Sequence, residues 1–137
     1  MSKTVWNDVG VVDFYSNQWQ LFEPEKVIRH LLSSDLRSMR MLDIGVGTGR
    51  TTQNFVSEVK YYAGIDYSSA MLEKCKSRFN NLGDNVMFRL MDATNMTEFG
   101  DNSFEFVLFS YNGIDNVDHT GRIKILDEIK RVLVPGG

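Results

Sequence analysis

At 137 residues the chain is of single-domain length and can bury a core. Its 42% hydrophobic and 24% charged residues are globular composition and exclude a disordered chain. The net charge of −3, with acids and bases interspersed, argues against a nucleic-acid partner, which would call for clustered Lys and Arg. One cysteine, Cys75, allows no intrachain disulfide and points to a reducing compartment, the cytoplasm. Residues 1–8 hold no apolar leader, and no run approaches the ~18 apolar residues of a membrane span.

Residues 1–22 carry Trp6, Phe14, Tyr15, Trp19 and Phe22 without a clean period. Two readings stay open, a segment packed over the core and a lid over a ligand, and both can hold together. Pro24 suits the first turn of a helix. Val27, Ile28, Leu31 and Leu32 then recur on one helical face that ends near residues 33–34. Residues 40–44 read as the first strand, followed by a turn with glycine at every second position (Gly45, Gly47, Gly49). A short helix over 51–59 turns Phe55, Val56 and Val59 inward. Residues 61–66 form a second strand ending in Asp66, and Ser68 is a plausible N-cap for the helix behind it. There Met71, Leu72, Cys75 and Phe79 share one face, which makes Cys75 a small buried hydrophobe, not a nucleophile. Residues 80–85 are turn chemistry, 86–90 a third strand closed by Asp92-Ala93, and 104–109 a fourth. A polar loop over 110–119 leads to a helix whose face is Ile125, Leu126, Ile129, Val132 and Leu133, stopped by Pro135-Gly136-Gly137. Alternating strand and helix patterns predict right-handed βαβ units on a parallel sheet, as one domain over 1–137.

Several strands end in a polar, ligand-type residue: Asp43 with the glycines, Asp66, Asp92, and Ser110-Tyr111-Asn112. In a parallel sheet these ends lie along one edge and converge on one crevice. Asp66 lies 21 positions beyond Gly45, and a carboxylate there can accept both hydroxyls of a ribose. That feature does not separate a methyl donor from a nicotinamide dinucleotide. The glycine spacing does, because Gly45-x-Gly47-x-Gly49 brings the third glycine one residue early for G-x-G-x-x-G. No Gly-Lys-Ser/Thr phosphate loop is present.

The segment Leu42-Asp43-Ile44-Gly45-Val46-Gly47-Thr48-Gly49 resembles motif I of the class I S-adenosylmethionine-dependent methyltransferases. Asp92-Ala93 resembles the position whose acid meets the adenine amino group. Arg131-Val132-Leu133-Val134-Pro135-Gly136-Gly137 resembles the Arg-Val-Leu-x-Pro-Gly-Gly segment between the family's fourth and fifth strands. The resemblance covers about residues 25–137. It implies an α/β, doubly wound, Rossmann-like, mostly parallel sheet with helices on both faces, its strands in the order 3-2-1-4-5-7-6. It implies S-adenosyl-L-methionine as methyl donor, S-adenosyl-L-homocysteine as product and a small-molecule acceptor. The cofactor contacts expected are Asp43, Gly45, Gly47, Thr48, Gly49, Asp66, Tyr67, Met71, Asp92, Ala93 and Ser110. Asp43 would act through the amino group of the donor's methionine part or through the loop. Tyr111, Asp115 and His119 lie in or near the loop after strand four, where acceptors are often met, but no catalytic base is assigned. No His/Cys cluster supports a metal.

Only strands one to four of the seven are present, so the expectation is a fragment of a longer protein. Strand four would then be an open edge that pairs with another copy or is covered by the N-terminal segment. The alternatives are a fragment that binds the donor without turnover and, against the glycine spacing, a NAD(P)-dependent oxidoreductase.

Overall fold

Arg40–Ile44 (β1), Tyr61–Asp66 (β2), Val86–Leu90 (β3) and Phe106–Phe109 (β4) form one parallel sheet in the order β3-β2-β1-β4. The computed structural model describes residues 3–110 and 113–137. Parallel strands need crossovers. Here Arg50–Phe55 (the short helix α4 below) joins β1 to β2, and Ser69–Arg78 (α5) joins β2 to β3. Around these lie Lys3–Trp6 (α1), Val9–Ser16 (α2), Glu23–Leu31 (α3), Arg50–Phe55 (α4) and His119–Val132 (α6).

β1 is central, and its neighbouring residues point to opposite faces. Met41 packs with Phe55, Tyr62, Leu72 and Cys75 on one side. Leu42 and Ile44 pack with Ile65, Met96, Phe104 and Val132 on the other. α4 and α5 therefore cover one face and α6 the other, which is the doubly wound arrangement. Registers Asp43↔Gly64 and Ile44↔Ile65 level the ends of β1 and β2, and Asp66↔Leu90 aligns β2 with β3. The acids at the strand ends thus step along one edge, Asp66 two residues beyond the level of Asp43 and Asp92 two beyond that of Asp66.

Several local expectations are corrected. The face Val27, Ile28, Leu31, Leu32 is split: Val27 is 55% and Leu31 71% exposed, Ile28 and Leu32 are half-buried with Leu32 against the core, and the buried residue of α3 is Glu25. Glu25 is held there by an ion pair described below. In α6, Ile125 and Val132 are buried while Leu126 is exposed. α4 ends at Phe55, although Val56 and Val59 still turn inward. β4 begins at Phe106, because Phe104 bridges to Leu133. The polar loop after β4 contains a 3-10 turn over Gly113–Asn116, and His119 already belongs to α6. Among the described residues β4 takes its only strand partner from β1. The N-terminal helices lie elsewhere, with α2 against α5.

Candidate functional site

The loop after β1 turns on three left-handed glycines, Gly45 (φ 70°), Gly47 (φ 57°) and Gly49 (φ 103°). That region penalises any Cβ. The turn is tied to β2: Gly45 and Val46 both donate their N–H to the Ile65 carbonyl, at 2.9 and 3.0 Å. A Cβ on Gly47 would meet nothing within 4 Å, so the backbone is open there to a ligand. Gly49 does a different job. A Cβ on it would lie 2.3 Å from the Phe79 ring, so this glycine lets α4 close onto α5.

Asp66, 8% exposed, accepts the Gly47 N–H on Oδ2 and the Ser68 N–H on Oδ1, each at 2.8 Å. Burial raises its pKa against the pull of these backbone bonds. Each oxygen keeps a lone pair for a further donor. Asp43 is buried. Its Oδ2 accepts from the Thr51 hydroxyl and, at 2.5 Å, from the Tyr62 hydroxyl. Burial pushes its carboxyl up to about 6, against the pull of those two bonds. Tyr62 is raised well above its ordinary value, first by burial and then by the Asp43 charge. Asp92 is exposed and closes an Asx turn, its Oδ1 accepting the Thr94 N–H at 2.9 Å and the Thr94 hydroxyl at 2.8 Å. Its Oδ2 takes no part in that turn.

These groups surround a cavity of about 330 Å³ at the carboxyl edge of the sheet, the size range of small-molecule sites. Of the eleven expected contacts, Asp43, Gly45, Gly47, Thr48, Asp66, Tyr67, Met71, Asp92, Ala93 and Ser110 line it. Gly49 does not, for the packing reason just given. Met71 is also a core residue at 2% exposure. Tyr111 lies outside the described residues. Asp115 and His119 are exposed and stand apart from the cavity wall. Among the described residues no His/Cys/Asp/Glu group could hold a metal, and no helix is long and apolar enough to cross a membrane.

The opposite wall carries Trp6 and Tyr15, two of the N-terminal aromatics named from the sequence, and residues that the sequence reading did not single out. Trp6, Tyr15 and Gln18, all from the N-terminal segment, line the cavity. Glu25, 2% exposed, receives Arg50 in bidentate fashion at 2.5 and 2.6 Å, with the Phe22 N–H at 2.8 Å and the Ser110 hydroxyl. Burial works against its charge, but the Arg50, Ser110 and Phe22 bonds prevail and hold its carboxyl below the usual range. The Arg50 guanidinium also lies 4.4 Å from the Phe22 ring centroid. Further along, Thr48 Oγ1 donates to the Tyr15 carbonyl at 3.1 Å. Arg78 donates to the Thr48 carbonyl at 2.9 Å and to the Ser16 carbonyl, its guanidinium 3.5 Å above Trp19. Ser68 Oγ lies 2.9 Å from the Trp6 carbonyl and 2.7 Å from Asn7 Oδ1. The sequence offered one signal for this wall, an arginine directly after the third glycine.

A family model described as a methyltransferase domain matches residues 41–137. The demethylmenaquinone methyltransferase of Leptospira interrogans is 31% identical over 130 residues, 88% of this chain and 51% of that protein. A solved SAM dependent methyltransferase from Aquifex aeolicus superposes with a TM-score of 0.75 at 24% identity, covering 93% of this chain and 68% of that one. The methyltransferase CalH, solved in complex with SAH, superposes with a TM-score of 0.74 at 24% identity, covering all of this chain and 41% of its own. The chain thus spans about half the length of the curated relative it matches.

Proposed function

The chain belongs to the class I S-adenosylmethionine-dependent methyltransferases, and from that premise we propose that it transfers a methyl group from S-adenosylmethionine to a small-molecule acceptor. The observation that carries this reading is the convergence of Asp43, Asp66, Asp92 and the open backbone at Gly47 on one cavity. The free lone pairs of Asp66 suit a ribose diol, since each backbone-bonded oxygen can accept one hydroxyl. Asp92 Oδ2 is placed to accept from an exocyclic amine, with Ala93 small enough to admit a ring. The open backbone at Gly47 suits the amino-acid part of the donor. Asp43, buried under the turn, acts through the loop and the Thr51 and Tyr62 hydroxyls. The nicotinamide alternative is set aside by the family and by the early third glycine.

The donor supplies a methyl group already activated by positively charged sulfur. The chain's own residues then have to bind, align and exclude water, which is catalysis by proximity. Ile44, Phe109, Val117 and Ile125 give the cavity an apolar side that suits an apolar or aromatic acceptor, and the Leptospira relative is named for a quinone. In this reading residues 3–22 act as the lid and residues 25–137 as the donor-binding core. The reading also places the protein in the cytoplasm, supported by a single, buried Cys75. It includes no nucleic-acid partner, and it allows a second copy to pair with the outer edge of β4, which sedimentation would test.

The test is incubation with isotopically labelled S-adenosylmethionine and a panel that includes a demethylated naphthoquinol, followed by mass spectrometry. A product heavier by one labelled methyl group supports the reading. Donor binding with no transfer to any acceptor would favour a donor-binding fragment.

A further inference from the structure

We propose that Arg122, which stands on α6 outside the cavity wall, is a positioning residue for the methyl acceptor: it fixes the turn that brings Gly113, Asn116 and Val117 into the crevice. The inference rests on the reading of the crevice given above and deepens it on the acceptor side.

Phe109 ends β4 and His119 begins α6, and among the described residues between them only Gly113–Asn116 form a regular turn. This stretch nevertheless supplies three lining residues, Gly113, Asn116 and Val117. A loop that carries function needs a scaffold to hold it. Within the turn the Val117 N–H reaches the Ile114 carbonyl only at 3.3 Å. Arg122 supplies what the turn lacks. Its Nε donates to the Val117 carbonyl at 2.9 Å and to the Ile114 carbonyl at 3.1 Å, and its Nη2 donates to the Asp115 carbonyl at 3.2 Å. One planar guanidinium thus ties three carbonyls of the turn with charge-assisted bonds.

Two close approaches seat the turn that Arg122 holds. A Cβ on Gly121 would lie 2.3 Å from Val117 Cγ1, so the missing side chain lets the turn press onto α6 beside Arg122. Asp118 caps the same end of the helix, accepting the Gly121 N–H at 2.7 Å. A Cβ on Gly113 would lie 2.2 Å from the Phe109 ring, so the turn also rests on the end of β4. Val117 is thereby kept on the apolar side of the cavity with Phe109 and with Ile125, one helical turn beyond Gly121. The bonds of Arg122 go to this turn, and among the described residues none goes to the ends of β1, β2 or β3, where Asp43, Asp66 and Asp92 stand. Losing the guanidinium should therefore loosen the acceptor side and leave the donor side in place.

The experiment compares the native chain with Arg122→Leu, which keeps much of the bulk and loses every donor, and with Arg122→Lys, which keeps the charge and loses the planar fork. Each protein is titrated by calorimetry with S-adenosylhomocysteine. The S-adenosylhomocysteine-loaded protein is then titrated with a demethylated naphthoquinol kept reduced under nitrogen. Expected is S-adenosylhomocysteine affinity within about twofold of native in both variants. Affinity for the naphthoquinol should fall about tenfold in Arg122→Leu and be partly restored in Arg122→Lys. Where Arg122→Leu does not fold, Arg122→Lys decides by the same two titrations. A variant that binds the naphthoquinol as tightly as native protein overturns the inference and leaves the site reading intact. Equal loss of both ligands also overturns it, because Arg122 would then serve the fold and not the acceptor side. Native protein that binds S-adenosylhomocysteine and not the naphthoquinol overturns the inference together with the acceptor class. Native protein that binds neither overturns the reading of the crevice as well.

Discussion

On the sheet side of the crevice, polar groups are placed by main-chain geometry. The register of β1 with β2 sets Asp66 two residues beyond the level of Asp43, and the Gly47 and Ser68 N–H groups clamp Asp66. On the N-terminal side, placement depends on side chains reaching across more than twenty residues: Arg50 to Glu25, Thr48 to Tyr15, Arg78 to Ser16, Ser68 to Asn7. The first wall cannot move without breaking the sheet. The second can be released by losing a few side-chain bonds. Donor affinity should therefore respond most to the sheet wall, and stability of the covering segment to the other.

The largest effect expected on stability comes from Glu25→Ala. It removes the carboxylate partner of Arg50, whose side chain is 13% exposed, and the acceptor of the Ser110 hydroxyl. Breaking a buried pair from one side costs about 3 kcal/mol, and urea unfolding measures it. A loss below about 1 kcal/mol would mean that water replaces the pair and that the N-terminal wall is held by packing.

Asp66→Asn addresses the other wall. Replacing one carboxylate oxygen by an amide nitrogen removes a charged acceptor, and affinity for S-adenosylhomocysteine should fall about a hundredfold; the lost backbone bond to Gly47 or Ser68 adds a stability cost of about 1–3 kcal/mol. Equal affinity would show that the acid serves only the turn.

The pH dependence of Asp43 sharpens the comparison further. Its carboxyl titrates near 6 in the fold against an ordinary 3.8. Between those values the native state holds a proton that the unfolded chain has lost, so this group's contribution falls as pH rises from about 3.8 to 6 and is flat above. Asp43→Asn lacks that decline. The stability of native protein relative to the variant should fall by about 2 kcal/mol from pH 4 to pH 7, as read from urea unfolding at several pH values. A relative stability that stays constant or rises with pH would contradict the burial argument.

The smallest effect is expected from Thr48→Ala, which removes one bond to the Tyr15 carbonyl. The cost is about 1 kcal/mol, visible as faster amide exchange in Val9–Ser16 with the sheet amides unchanged. Equal acceleration in β1 and β2 would mean that the two walls open as one unit.

The same contrast explains what could be read in the sequence. Apolar runs closed by Asp43, Asp66 and Asp92 are local patterns, and parallel pairing brings such ends together without further information. Ser68 was legible as an N-cap for the same reason, since its hydroxyl serves the Met71 N–H three residues on. Glu25 was not, because its partners Arg50 and Ser110 lie 25 and 85 residues away. The same pair sits on α3, where Val27 and Leu31 of the apolar face are exposed, Leu32 packs against the core, and an acid takes a buried position. Gly49 was taken as a ligand contact because it shares a motif with Gly45 and Gly47. Only the approach of Phe79 shows that its missing side chain makes room for a helix.

The most direct test of the account is calorimetric titration of the native chain with S-adenosylhomocysteine and, separately, with NAD. Saturable one-to-one binding of the first and none of the second is the result predicted from the strand-end acids and the early third glycine. Binding of NAD, or of neither ligand, would contradict the claim that this crevice is built for a methyl donor.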